Sequence, residues 1–173
     1  FIYYFKDASM AYQGRHFVAL LAGHAKKPYY RTFVRSRMIC ALRKGYEYDI
    51  ELYLKSKHAV LDSLGIYFTD YDFLYEKQIY YRIKPSIYFA DAEIKPVKGD
   101  TAWQKVKFRY KATGKETYLT LGNFSRRDVT GPTGIDRENN FFILFDNVSL
   151  KPTIPEERLC EDWKQSIENI YIQ

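Results

Sequence analysis

The strictest constraint on this chain is a two-residue period that appears in two separate places. Across residues 46–55, Tyr46, Tyr48, Ile50, Leu52 and Leu54 alternate with Glu47, Asp49, Glu51, Tyr53 and Lys55. Across 105–111, Val106, Phe108 and Tyr110 alternate with Lys105, Lys107, Arg109 and Lys111. Successive side chains of a strand point to opposite faces, so each run reads as a strand with one buried and one wet face. The wet faces differ in sign, acidic in the first run and basic in the second. If the two strands are neighbours in one sheet, these rows oppose each other and help set the register.

The second run also reads as the first arm of a hairpin over 103–124. Thr113-Gly-Lys-Glu116 supplies its turn, and 118–121 its second arm, with Leu119 and Leu121 on one face and Tyr118 and Thr120 on the other. Further extended segments are expected at 17–21, 29–42, 64–69, 86–90 and 141–150, and the two-sided apolar start of the last places it inside a sheet. From Thr153 the period changes: Leu159, Trp163, Ile167 and Ile170 recur at helical spacing. Thr153 and Glu156 form a capping box, with Pro155 in the first turn. The expected organisation is therefore mostly β. Residues 1–152 form one antiparallel β-sandwich, and a short amphipathic helix over 153–173 packs on it. The 17 Tyr and 12 Phe among 173 residues agree, because flat rings suit a pleated surface.

The net charge of +6 comes from basic residues spread along the chain, which fits a solvated surface and argues against a nucleic-acid footprint. No run approaches the ~20 apolar residues of a membrane helix. No leader peptide opens the chain, and with Phe1 as first residue a processed or incomplete N-terminus is expected, compatible with a removed export signal. Cys40 and Cys160 have no zinc spacing, and two separate buried thiols are the preferred reading over a pair. His16, His24 and His58 are isolated, and neither a nucleophile elbow nor a phosphate loop is present. The chain reads as non-enzymatic.

Four segments carry a family likeness. AYQGRHFVALL (11–21), LRKGYEYDIELYLKSKHAVLDSLGIYF (42–68), WQKVKFRYKATGKETYLTLGNF (103–124) and FDNVSL (145–150) together resemble the jelly-roll β-sandwich modules of exported Bacteroidetes envelope proteins. Those modules commonly stand ahead of an outer-membrane-protein-A-like peptidoglycan-binding domain. They are similar to carbohydrate-binding modules of the galactose-binding-like type. The resemblance implies a jelly roll and an extracytoplasmic place in the periplasm, outer membrane or cell surface. It also implies a binding role, with glycan as the expected ligand and an envelope protein as the alternative partner. Any association with outer membrane or peptidoglycan would run through regions outside these 173 residues. The family normally opens with a further strand bearing an Asn-Pro-Ser-Phe-Glu-like motif, which residues 1–173 do not contain, so that strand is expected to be missing.

In the related modules an acidic residue at the start of the last strand helps hold a structural Ca2+, which makes Asp146 a candidate ligand by resemblance. A satisfied strand-end carboxylate is the preferred alternative. For a glycan, the candidates are Tyr53, Tyr67 and Tyr118 on wet faces and Trp103, which breaks the parity of its strand. Their rings suit the CH faces of sugars, and Arg109 and Asn123 are placed to read hydroxyls. The competing reading packs these tyrosines beneath loops or the terminal helix.

Overall fold

The computed structural model describes residues 8–24, 27, 30–56, 63–72, 83–97, 100–125, 136–137 and 140–154. The segment expected to form the terminal helix, from residue 155 onward, lies outside the described residues, as does Cys160.

Among the described residues ten strands follow in chain order: β1 (Val18–His24), β2 (Val34–Arg37), β3 (Glu47–Lys55), β4 (Leu64–Thr69), β5 (Ile87–Tyr88), β6 (Glu93–Val97), β7 (Asp100–Lys111), β8 (Tyr118–Asn123), β9 (Asp136–Arg137) and β10 (Asn140–Pro152). They form two antiparallel sheets. The larger has the order β1-β10-β3-β7-β6, with β9 paired to β10, and the smaller the order β2-β8-β4-β5. A β-sandwich architecture accounts for both.

The central pair is β3 with β7. Its register sets Asp49 opposite Arg109 and Glu51 opposite Lys107, so the acidic and basic rows do face each other. The alternate residues Tyr48, Ile50, Leu52 and Leu54 of β3 and Val106 and Phe108 of β7 point into the core. There they meet Leu64, Ile66 and Phe68 of β4 and Leu119 and Leu121 of β8 from the smaller sheet. Phe89, in a 3-10 turn over Phe89–Asp91, fills the gap beside them, 5.0 Å from Phe108 and 6.0 Å from Phe145 between ring centroids.

β10 lies between β1 and β3, the interior position that its apolar start implies. Phe141, Ile143 and Phe145 enter the core, while Phe142 and Leu144 are buried on the opposite face. Its register slips between Asp146 and Ser149, where Asn147 adopts a φ of 49°. Asparagine tolerates that left-handed conformation better than most residues, and the resulting bulge returns the strand to alternation.

Within the extended segments expected at 29–42 and 86–90 the strands are shorter, Val34–Arg37 and Ile87–Tyr88, and two further expectations change. β7 and β8 do not form a hairpin: β7 pairs with β3 and β6, and β8 with β2 and β4, so the intervening turn crosses from one sheet to the other. The turn is held by Glu116, whose side chain is folded back into it and is only 1% exposed. Its Oε1 accepts from the Tyr110 hydroxyl, the Thr113 hydroxyl and the Thr113 N–H, each at 2.7 Å, and its Oε2 from the N–H groups of Gly114 and Lys115 at 2.8 and 2.9 Å. With both strand ends anchored to one carboxylate, the chain turns away from β7 instead of doubling back beside it. Cys40 is the second change, because it is disulfide-bonded and not a free thiol. It sits half-buried in the loop after the edge strand β2.

Burial alone would raise the Glu116 pKa, but the donors of Thr113 and Tyr110 outweigh it and hold the carboxyl below its ordinary value. Because the folded state binds this proton less readily than the unfolded chain, Glu116 contributes stability above its ordinary pKa, and the contribution disappears as pH falls through the lowered value. Glu116→Gln is expected to cost about 2 kcal/mol or more near neutral pH. In urea titrations the gap between parent and variant should close on acidification; a gap independent of pH would show that the charge does not hold the turn.

Candidate ligand-binding face

The smaller sheet turns one face to the core and leaves the other outward. On that outer face β2, β8 and β4 lie in a register that forms two cross-strand rows. Arg35, Thr120 and Tyr67 make one; Arg37, Tyr118 and Thr69 make the next. Tyr67 and Tyr118 are consequently diagonal neighbours on adjacent strands, a spacing within reach of aromatic side chains. Both rings are half-buried, whereas Thr120 and Thr69 are buried between the larger side chains.

Charge and hydroxyl groups surround the two rings. Arg35 forms an ion pair with Asp72, the two side chains being 42% and 24% exposed. The Tyr67 hydroxyl lies 3.2 Å from that of Tyr71. Burial, reinforced by Tyr71, pushes the Tyr67 phenol up to about 12, so it stays protonated and can both donate and accept. On the same outer face Phe33 lies against Gly122 so tightly that a Cβ there would fall 2.0 Å from its ring. Phe33 packs on Phe124 at 5.3 Å, and Phe124 meets the Tyr67 ring edge-on at 6.1 Å. Thus the Tyr67 ring is flanked on its own face by Phe124, and the patch sets aromatic rings beside a guanidinium, a carboxylate and phenol hydroxyls.

Tyr67 and Tyr118 are the two sequence-derived candidates that share this face. Tyr53, Trp103 and Arg109 belong to the outer face of the larger sheet. Tyr12 stacks on Tyr53 at 3.8 Å with ring planes 14° apart, covering it. Trp103 does turn to the outer face, but it is 1% exposed beneath Tyr12, with the Lys55 ammonium 5.7 Å from its ring. No ring surface of Trp103 is left for a ligand. Asn123 is fully buried: its Nδ2 donates to the Ala22 carbonyl at 2.7 Å and its Oδ1 accepts from the Ser125 N–H at 3.0 Å. It fastens β8 to β1 across the sandwich and cannot read a hydroxyl in solvent. Arg35, Tyr71 and Asp72 are not among the sequence-derived candidates; for Arg35 the signal is its alternation, with Arg37, against Val34 and Ser36.

Arg109 belongs to a ladder of charges on the larger sheet. Its Nε donates to Asp49 Oδ1 at 3.1 Å, Lys107 lies 3.1 Å from Asp49 Oδ2, and Lys105 pairs with Glu51. The Arg109 hydrogen bond lowers the Asp49 pKa, the same bond raises that of Arg109, and Glu51 raises that of Lys105. These exposed pairs fix register more than they stabilise.

Asp146 sits where the bulge begins. Its Oδ2 accepts from the backbone N–H groups of Tyr12 and Gln13 at 2.9 and 3.1 Å, and its Oδ1 from the Asn147 N–H at 2.7 Å. Calcium takes six to eight oxygen ligands. Here the donor set is a single carboxylate already facing N–H groups, and among the described residues no group of three or more His, Cys, Asp or Glu gathers to hold an ion. The described residues therefore do not fit that cation. Asp146 instead pins the N-terminal segment, and with it Tyr12, over Tyr53 and Trp103.

Among the described residues no helix is long and apolar enough to cross a membrane. No family model, no curated protein and no solved structure matches this chain.

Asp146→Ala should release the N-terminal segment without unfolding the sandwich. Hydrogen exchange at the Tyr12 and Gln13 amides is expected to accelerate at least tenfold, with little change at Ile50 or Phe108. Unchanged exchange at Tyr12 and Gln13 would show that other contacts hold the segment.

Proposed function

We propose that this chain is a non-catalytic, extracytoplasmic binding module of the cell envelope that takes a glycan on the outer face of its smaller sheet. The observation that carries the reading is the adjacency of Tyr67 and Tyr118 beside the Arg35–Asp72 pair. Phenol rings stack on the CH faces of a sugar, and the neighbouring charged groups and the Tyr71 hydroxyl suit its hydroxyls. The two antiparallel sheets are compatible with the jelly-roll architecture that the sequence resemblance implies. The Cys40 disulfide supports an oxidising compartment, since such bonds persist chiefly in exported proteins.

A second reading, a structural module that engages another envelope protein, draws on a different part of the molecule. It is favoured by the charged outer face of the larger sheet, where Asp49 and Glu51 pair with Lys105, Lys107 and Arg109, and it requires no sugar.

The glycan reading is tested with a glycan array and a peptidoglycan pull-down. Retention above that of an unrelated basic protein is expected. Tyr67→Ala or Tyr118→Ala should each weaken it about tenfold, equivalent to about 1.4 kcal/mol, whereas Tyr46→Ala, away from this face, should not. Absent retention, or equal retention by all variants, would overturn the reading.

A further inference from the structure

The edge of β7 is only partly covered. β6 pairs with it from Asp100 to Lys107, with Glu93 opposite Lys107, and then stops. Extended in the same register, Asp91 would fall opposite Arg109, but residues Phe89–Asp91 form the 3-10 turn that brings the chain across from β5 in the other sheet. Among the described residues, nothing pairs with Phe108–Lys111 on that side.

The direction of the backbone groups follows from the next residue. Ala112 donates its N–H to the Tyr46 carbonyl at 2.9 Å and accepts from the Gly45 N–H at 2.8 Å, so both its polar groups face the β3 side. Neighbouring residues of a strand alternate, and the N–H and C=O groups of Arg109 and Lys111 must therefore point to the uncovered side. A cleft of about 580 Å³ lies there, lined by Ser86, Ile87, Asp91, Phe108, Arg109 and Lys111, among others. Four free residues of strand span about 13 Å.

We infer that this edge receives an extended segment of a partner protein in which apolar and acidic residues alternate. On the inner side the incoming strand would meet Ile87, Phe108 and Tyr110, which require apolar side chains. On the outer side it would stand opposite Arg109 and Lys111. Lys107 supplies the precedent within this sheet, because it is flanked by Asp49 on β3 and by Glu93 on β6. A second copy of the chain is a poor occupant, since antiparallel pairing about Tyr110 would oppose Arg109 of one copy to Lys111 of the other. In strand addition the main chain supplies affinity and the alternating side chains supply selectivity. This edge belongs to the larger sheet, so its occupancy is independent of the glycan reading.

The test titrates the 15N-labelled protein with a short synthetic peptide alternating valine and aspartate, and with its valine–lysine counterpart. The acidic peptide should shift the amides of 108–111 and slow exchange at Arg109 and Lys111 at least tenfold. The lysine peptide should bind at least tenfold more weakly, and Lys111→Glu should narrow that preference while leaving the protein folded, as read by its spectrum. Three results would overturn the inference: no shift at 108–111, equal binding of the two peptides, or concentration-dependent protection of the same amides without peptide, which would identify a second copy as the occupant.

Discussion

The structure depends above all on the in-register pairing of β3 with β7. Each strand gives one face to the core and the other to a row of charge, and only one alignment satisfies both. A slip of one residue would turn Ile50, Leu52, Val106 and Phe108 outward and bury the charged row, a change that no set of surface ion pairs could offset. The charges consequently choose the partner and the alignment, while the core supplies the stability. From this pair the larger sheet extends to β10 and β1 on one side and β6 on the other.

The same pairing explains why the two sheets differ in what they present. Around β3 and β7 the outer face is charged at one end and aromatic at the other, where Tyr12 is held over Tyr53 and Trp103 by the Asp146 carboxylate. The outer face of the smaller sheet sets Tyr67 and Tyr118 to one side of Arg35 and Arg37 of β2, with Phe33 packed against Gly122 on the same face. Both tyrosine rings are half-buried there, among charged and hydroxyl-bearing side chains.

Where side-chain period decided the structure, the sequence was readable. The faces of β3, β7 and β8, the interior position of β10, and the opposition of the acidic row to the basic one all follow from alternation. What alternation cannot convey is where a strand goes after it ends. The Thr113–Glu116 turn has the length and glycine of a hairpin connection, yet Glu116 gathers the N–H groups of Thr113, Gly114 and Lys115 and sends β8 to the opposite sheet. Likewise, Trp103 and Asn123 have residue types suited to binding a sugar, but their burial is set by Tyr12 and by the Ala22 carbonyl, both distant in sequence. Asp146 is similar: its position matched a metal ligand by resemblance, while its actual partners are backbone donors from the N-terminal segment.

The most direct measurement is the set of Hα–Hα nuclear Overhauser effects between β3 and β7. Since Ala112 fixes which pairs are hydrogen-bonded, the close Hα–Hα contacts belong to the alternate ones. The account predicts strong effects linking Asp49 with Arg109 and Glu51 with Lys107. Effects displaced by one residue, or effects joining β7 to β8 as a hairpin, would contradict it.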